Sequence, residues 1–144
     1  MENEHPINPR EIRQFMDRKV TPYLFKIGLT PSNGPFIAEI NDNEGISQSE
    51  LSYNLNVDKA LTTRTVRHLI EKGFVEDRSK ESHRYSLYLT EKGKDAAKIV
   101  KEAIDSAWES IYDHLTEDEV TELKRIFDKI GELIRKELRK GADQ

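Results

Sequence analysis

The stretch that decides the fold is residues 47–90, SQSELSYNLNVDKALTTRTVRHLIEKGFVEDRSKESHRYSLYLT. It opens with two short segments that favour helices. Ser47 and Glu50 have the spacing of a capping box, in which the two side chains satisfy free N–H groups at a helix start. Asp58 can cap a second helix, which ends at Gly73. Because only a few residues separate them, the two helices are predicted to form a helix-turn-helix.

A β-hairpin is predicted directly after the second helix. Residues 74–78 and 84–89 alternate between apolar and polar side chains, which is typical of strands, and the polar residues 79–83 provide the turn. Two short helices followed by a hairpin are the plan of a winged helix-turn-helix. In that plan the second helix enters the major groove of DNA, and the hairpin, or wing, lies against the backbone or the minor groove.

The predicted second helix, residues 58–72, has a core side and an outer side. The core side carries Thr62, Thr65, Val66 and Leu69. The outer sides carry Ala60, Leu61, Thr63, Arg64, Arg67 and His68. Reading of base edges needs arginine for guanine, short polar groups for close approach and small apolar groups for thymine methyls. A merely solvated basic face is the alternative, and the wing that follows argues against it.

We therefore predict a DNA-binding surface built from both helices and the wing. Its residues are Ser47, Gln48, Lys59, Ala60, Leu61, Thr63, Arg64, Arg67, His68, Lys80, His83 and Arg84. The formal net charge of −4 at first argues against a nucleic-acid partner. The distribution of charge is more informative, because residues 47–90 carry a net charge of +1 and the remainder carries −5. Such local polarity is expected when one face meets DNA.

Helices with apolar stripes are predicted on both sides of this stretch. The first covers about residues 9–27, where Pro22 is expected to kink or split the helix, and a short one begins at Thr30. After the wing, Thr90 caps a long helix to about Leu115, and Thr116 opens a last helix through a second capping box. The predicted fold class is mainly α with a small β-hairpin wing, in the order α-α-α-α-β-β-α-α.

The whole chain, residues 1–144, is predicted to form a single domain. Within it, residues 30–90 form the winged helix-turn-helix lobe, and residues 9–28 and 91–140 form dimerisation helices. The apolar stripes on these helices exceed what a small winged domain can cover, which favours a homodimer. An intramolecular helical hairpin that needs no partner is the alternative.

Four stretches in register resemble the multiple antibiotic resistance regulator (MarR) family. Residues 47–51 look like its "T-Q-x-E-L" and residues 57–64 are similar to its "V-D-K-S-T-V-T-R". Residues 69–75 match "L-E-K-K-G-L-V", and residues 89–93 match the "L-T-x-x-G" after the wing. With Leu29-Thr30 at the start of the second helix and the flanking helices in the family's order, the resemblance covers nearly the whole chain.

The resemblance implies a sequence-specific regulator of transcription that binds double-stranded DNA, and more finely a ligand-responsive repressor acting as a homodimer. The family often holds a small aromatic or anionic effector in a crevice between the dimer helices and the DNA-binding lobe. The residues that would border such a crevice here are Arg13, Tyr23, Phe36 and Tyr53.

The wing departs from the family's pattern. The family carries Asp-x-Arg there, and the corresponding positions of this chain hold Glu81 and His83. Arg84 is one residue later, where strand alternation points it to the opposite side. Lys80, His83 and Arg84 therefore all remain candidates for the phosphate contact.

Other function classes lack support in the sequence. The chain has no cysteine, which excludes disulfides and thiol redox switches. The four histidines lack the i, i+4 spacing of a helical metal site, and no Gly-rich phosphate loop or nucleophile elbow is present. We expect no enzyme activity, metal, cofactor or membrane span, and a cytoplasmic location. The rival hypothesis is a winged-helix protein–protein interaction module, favoured by the acidic remainder and the weakened wing motif.

Overall fold

The computed structural model describes residues 5–79 and 86–142. In these ranges it confirms the predicted mainly α class with a hairpin wing and the predicted element order. The helices and strands are α1 (Pro9–Phe25), a 3-10 turn (Pro31–Asn33), α2 (Gly34–Asp42), α3 (Gln48–Leu55), α4 (Lys59–Glu71), β1 (Val75–Asp77), β2 (Leu87–Leu89), α5 (Glu91–Tyr112) and α6 (Glu117–Ala142).

The chain divides into two compact units, one up to Ala107 and one from Trp108 onward. The first unit has a continuous apolar core. None of its apolar side chains comes from the 3-10 turn. The largest fully buried apolar side chains of this core are Leu24, Leu29, Ile37, Ile40, Leu51, Val66, Leu69, Phe74 and Leu87. This core holds the helix-turn-helix and the base of the wing in one body.

The second unit comprises the end of α5 and the whole of α6, and it contains a small aromatic cluster. The ring of Trp108 stacks on Tyr112 at 6.2 Å between centroids and meets Phe127 edge-on at 5.6 Å. The helix α6 starts in a complete capping box, because Thr116 accepts from the Glu119 N–H and its own N–H donates to the Glu119 carboxylate. These hydrogen bonds lower the pKa of Glu119. Along the described part of α6, no side chain is fully buried.

The hairpin pairs β1 and β2 antiparallel, with Val75 opposite Leu89 and Asp77 opposite Leu87. Ile46 adds an isolated bridge to Leu87, in which the Leu87 N–H donates to the Ile46 carbonyl at 3.0 Å. The wing is therefore tied to the turn that precedes α3. This third pairing was not predicted, because Ile46 stands alone between a turn and a helix cap.

Four details of the sequence prediction are corrected. Pro22 does not split the first helix, since α1 is continuous from Pro9 to Phe25. Proline removes one backbone N–H, and the carbonyl of Arg18 that loses its partner lies on an exposed stretch where water can satisfy it. The second helix is preceded by a 3-10 turn, and the long helix ends at Tyr112 instead of about Leu115. The first strand does not alternate, because Phe74 and Val75 are both buried.

The start of α5 lies directly against the hairpin. The Thr90 N–H donates to the Phe74 carbonyl at 3.0 Å, and the Thr90 hydroxyl accepts from the Gly93 N–H at 3.1 Å, which confirms the predicted cap. A Cβ atom at Gly93 would stand 2.0 Å from the Phe74 carbonyl oxygen. The glycine of the "L-T-x-x-G" stretch is therefore required by a backbone contact.

We predict that Gly93→Ala lowers the free energy of unfolding by about 3 kcal/mol or more, because α5 must move away from the hairpin to admit the methyl group. The matched control is Gly131→Ala in α6, where only the end of the flexible Arg135 side chain is near. This control should be neutral or more stable by up to about 1 kcal/mol, since alanine favours a helix. Urea denaturation at one fixed protein concentration measures both, and equal stabilities would contradict the prediction.

Candidate DNA-binding surface

The turn between α3 and α4 is three residues long and closely hydrogen-bonded. Asn56 adopts the left-handed conformation with φ of 53°, which asparagine tolerates better than most residues. The Val57 N–H donates to the Ser52 carbonyl at 3.0 Å, which ends α3. The Asp58 carboxylate then accepts from the Leu61 N–H at 2.7 Å and begins α4. The predicted helix-turn-helix is therefore present, and Asp58 is its second cap.

The angle between α3 and α4 is held by two buried hydroxyl groups. The Ser52 hydroxyl donates to the Thr62 hydroxyl at 2.7 Å, and the Thr62 hydroxyl donates to the Asp58 carbonyl at 3.0 Å. Both side chains are buried. A buried polar group without a partner is costly, so each hydroxyl favours the geometry that satisfies the other. The helical pattern predicted that Thr62 is buried, but it did not identify Ser52 as its partner.

The two sides of α4 are as the helical pattern predicted. The core side is buried and consists of Thr62, Thr65, Val66 and Leu69. The outer residues are all exposed, namely Ala60, Leu61, Thr63, Arg64, Arg67 and His68. The structure therefore presents these six side chains, together with the exposed Lys59, on one accessible helix surface. Their contact with DNA remains a prediction.

The first turn of α3 meets the outer face of α4. The Thr63 hydroxyl donates to the Gln48 side-chain carbonyl at 3.2 Å. Gln48, Thr63 and Arg67 line one open groove of about 230 Å³, whose floor includes the buried Val66. Ser47 instead caps α3, because its hydroxyl accepts from the Glu50 N–H at 3.1 Å. Predicted contact residues of the two helices are thus brought together.

Three predicted wing residues, Lys80, His83 and Arg84, lie outside the described residues. The described base of the wing contains a further cation, Arg78, which is not among the predicted DNA-binding residues. Its guanidinium donates to Glu76 at 2.8 Å and lies 4.0 Å from the centre of the Tyr88 ring. The hydrogen bond to Glu76 raises the pKa of Arg78. Strand pairing could have indicated this, since Glu76 and Tyr88 are opposite one another.

Some basic side chains near α4 serve the fold. The Lys72 ammonium donates to the Gly28 carbonyl at 2.9 Å, and the Lys92 ammonium donates to the Lys72 carbonyl at 2.7 Å. Lys92 also lies 4.4 Å from the centre of the Phe74 ring. The ammonium groups of both lysines therefore contact backbone carbonyls near helix ends, and that of Lys92 also contacts an aromatic ring of the core.

The four predicted ligand residues lie in different surroundings. Phe36 is only 4% exposed and belongs to the core, whereas Tyr53 is 62% exposed on α3. The Tyr23 hydroxyl donates to the Ser106 hydroxyl at 3.1 Å. Arg13 lines a shallow hollow formed by α1 alone, which none of the other three borders.

A different hollow, of about 190 Å³, lies between α1, α2 and α5. Its lining is mostly apolar and includes Met16, Val20, Pro31, Gly34, Pro35, Ala38, Val100 and Ile104. A neighbouring hollow shares Ala38, Val100 and Ile104 and adds Lys94, Lys98 and Lys101. Asp17 also lines the first hollow and Asp42 the second, where three ammonium groups outnumber the one carboxylate. Such a lining suits a small molecule with an apolar body and a negative charge.

Residues 5–79 and 86–142 contain neither a metal-binding cluster nor a membrane-spanning helix. No group of three or more His, Asp or Glu side chains in these ranges is arranged to hold a metal ion. No helix within them combines the length and the apolar character that crossing a bilayer requires.

Comparison with known proteins places this fold in a family. The sequence model of the MarR family matches residues 29–84, which include the helix-turn-helix and part of the wing. Protein F-93 of Sulfolobus spindle-shape virus 1 is 34% identical over 92 residues, which are 61% of this chain and 91% of that protein. The chain belongs to the MarR family.

Two other similar proteins share a lower identity with this chain. The HTH-type transcriptional regulator BilQ of Clostridioides difficile is 28% identical over 103 residues, or 70% of this chain and 66% of that protein. A MarR family protein of Mycobacterium tuberculosis, solved in complex with DNA, shares the fold with a TM-score of 0.72 at 23% identity, over 89% of this chain and 99% of that one. The same protein solved with salicylic acid gives a TM-score of 0.70 at 22% identity, over 90% and 99%.

We predict that Thr62→Val lowers the free energy of unfolding by about 1–3 kcal/mol, because it leaves the buried Ser52 hydroxyl without its acceptor. Ser52→Ala should cost less, about 1 kcal/mol, since Thr62 keeps its bond to the Asp58 carbonyl. The control is the adjacent, exposed and chemically identical change Thr63→Val, expected to alter stability by less than about 0.5 kcal/mol. Denaturation of the three variants in urea gives the comparison, and the prediction fails if Thr62→Val and Thr63→Val are equivalent.

Proposed function

We propose that this MarR-family protein is a transcription regulator that binds specific sequences of double-stranded DNA as a homodimer. The observation that carries the proposal is the exposed outer face of α4, whose angle to α3 is held by the buried contact between Ser52 and Thr62. A helix of this kind fits the major groove, which is about 12 Å wide. The relative from Mycobacterium tuberculosis that was solved with DNA supports the proposal.

The outer residues of α4 supply the chemistry of base reading. An arginine pairs with guanine O6 and N7 through two hydrogen bonds, and Arg64 is the exposed arginine nearest the helix start. Ala60 and Leu61 in the first turn suit apolar contact with thymine methyl groups. Lys59 and Arg67 suit phosphate contacts, which position the protein without selecting sequence. The wing residues Lys80, His83 and Arg84 remain proposed phosphate contacts, and Arg78 joins them.

We expect Arg64→Ala to weaken binding to a selected operator by about 1–3 kcal/mol and to relax the base preference at one position. The reason is that a side chain with two hydrogen bonds to one base contributes discrimination as well as affinity. Operator selection from random duplexes, followed by gel-shift titration, measures both effects. The control is Arg18→Ala on α1, which removes the same charge from a helix outside the helix-turn-helix.

Equal operator affinity of Arg64→Ala and the wild-type protein would contradict the assignment of α4 as the reading helix. The wild-type protein should also lose affinity steeply with salt, because neutralised phosphates release counterions. Failure of the wild-type protein to retain any duplex at low salt, with a protein partner retained instead, would favour the rival protein–protein module.

The proposed homodimer is supported by the apolar side of α6. Ile130, Leu133 and Leu138 are 45%, 60% and 68% exposed, and Ile126 and Ile134 lie on the same side of the helix. A contiguous stripe of this kind is expensive to leave in water, and its spacing of three and four residues suits a second helix. Independently, α1 exposes Ile12, which is 38% accessible. A twofold dimer would present two copies of α4 to half-sites about one helical turn apart.

We predict that Leu133→Glu converts the protein to a monomer at micromolar concentration, because a carboxylate would be buried in the apolar contact. The matched control is Lys136→Gln, which changes the net charge equally on the polar side of the same helix. Size-exclusion chromatography with light scattering gives the molar mass of each variant. A monomeric wild-type protein, or a Leu133→Glu variant that stays dimeric, would refute this interface.

The finer part of the proposal is a ligand-responsive repressor acting in the cytoplasm, where a regulator of this kind meets its DNA. The apolar hollow between α1, α2 and α5 suits the ring of a small aromatic acid. The lysines of α5 that line the neighbouring hollow suit its carboxylate. Arg13 and Tyr23 lie on α1, which also supplies Met16 and Val20 to that hollow, and remain proposed contacts together with Phe36 and Tyr53. The salicylate-bound relative supports an effector of this class.

A further inference from the structure

We infer that Gln48 is a positioning residue that sets the base preference of Thr63, an inference that rests on the proposed DNA-binding function. The Thr63 hydroxyl donates its proton to the side-chain carbonyl of Gln48, with 3.2 Å between the oxygens. This bond joins the first turn of α3 to the outer face of α4. It determines which hydrogen-bonding role is left for Thr63 on the side that faces DNA.

A threonine hydroxyl has one donor and two acceptor lone pairs. When it is unconstrained it rotates, so it can pair with donors or acceptors and discriminates poorly between bases. Once its proton is committed to Gln48, Thr63 can only accept a hydrogen bond. In the major groove the donors are the amino groups of adenine and cytosine, whereas guanine and thymine present acceptors on their major-groove edges. Thr63 therefore favours adenine or cytosine at the base that it faces.

The position of Gln48 fits this role. Ser47 provides the cap of α3, so the helix start does not require the Gln48 side chain. Gln48 and Thr63 line the same open groove as Arg67, on the accessible surface of the helix-turn-helix. Of the three threonines of α4, Thr62 and Thr65 are buried, and Thr63 is the exposed one. The hydroxyl that can reach a base is thus the one whose proton Gln48 holds.

The test compares operator selection from random duplexes by the wild-type protein and three variants. The wild-type protein should favour adenine or cytosine by roughly five- to tenfold at one position, which is the effect of about one hydrogen bond. Thr63→Val should abolish this preference and identify the position. Gln48→Met, which keeps the length of the side chain without the carbonyl, should abolish the same preference although Thr63 is present. The position that depends on Arg64 should not change in either variant.

Gln48→Glu provides the rescue, because a carboxylate also accepts the Thr63 proton. It should keep the preference for adenine or cytosine, although its added negative charge lowers the overall affinity in a salt-dependent way. A structural role of Gln48 alone would not follow this pattern. Urea denaturation of all three variants, expected to match the wild-type protein, checks that each is folded.

Several results would overturn the inference while the proposed function stands. These are a selected operator whose preferences are unchanged in Gln48→Met, a preference for guanine or thymine at the position lost in Thr63→Val, or a loss in Gln48→Met that Gln48→Glu does not restore. If the wild-type protein selects no sequence, the proposed function fails, and the inference fails with it.

Discussion

The buried hydroxyl contact between α3 and α4 is the interaction on which the candidate surface depends. The buried Ser52 hydroxyl finds its acceptor, Thr62, only when the two helices cross at the observed place, whereas Thr62 also donates to the Asp58 carbonyl. Because Thr62 is on the inner side of α4, its neighbours Thr63 and Arg64 are turned outward. A contact in the core therefore decides which side chains of α4 are exposed on the candidate surface.

The features that the sequence predicts well are those encoded within a few residues. The caps at Ser47, Asp58, Thr90 and Thr116 each rely on a side chain that meets a backbone N–H three residues later. The two sides of α4 follow from a spacing of three and four residues. The family resemblance strengthened these predictions because its motifs occupy the same positions.

The features that escaped the sequence are contacts between distant segments. The partner of Thr62 is ten residues away, and the close approach of Gly93 to the Phe74 carbonyl joins a helix to a strand. Local patterns contain no information on such distances. A charge count has the same limit: Lys72 contributes to the net charge of +1 of residues 47–90, yet its ammonium binds the Gly28 carbonyl. Its charge is held at the end of α1.

The bridge between Ile46 and Leu87 has a mechanical consequence. Because the turn before α3 is hydrogen-bonded to β2, the base of the wing and the start of the helix-turn-helix resist separate displacement. A torque applied to one is transmitted to the other. If the spacing between the two α4 helices of a dimer changed, each lobe would then move as a rigid body. The bending would occur outside the segment that the bridge joins. Under the proposed function, the contacts that α4 and the wing of one lobe make with DNA would therefore form and break together.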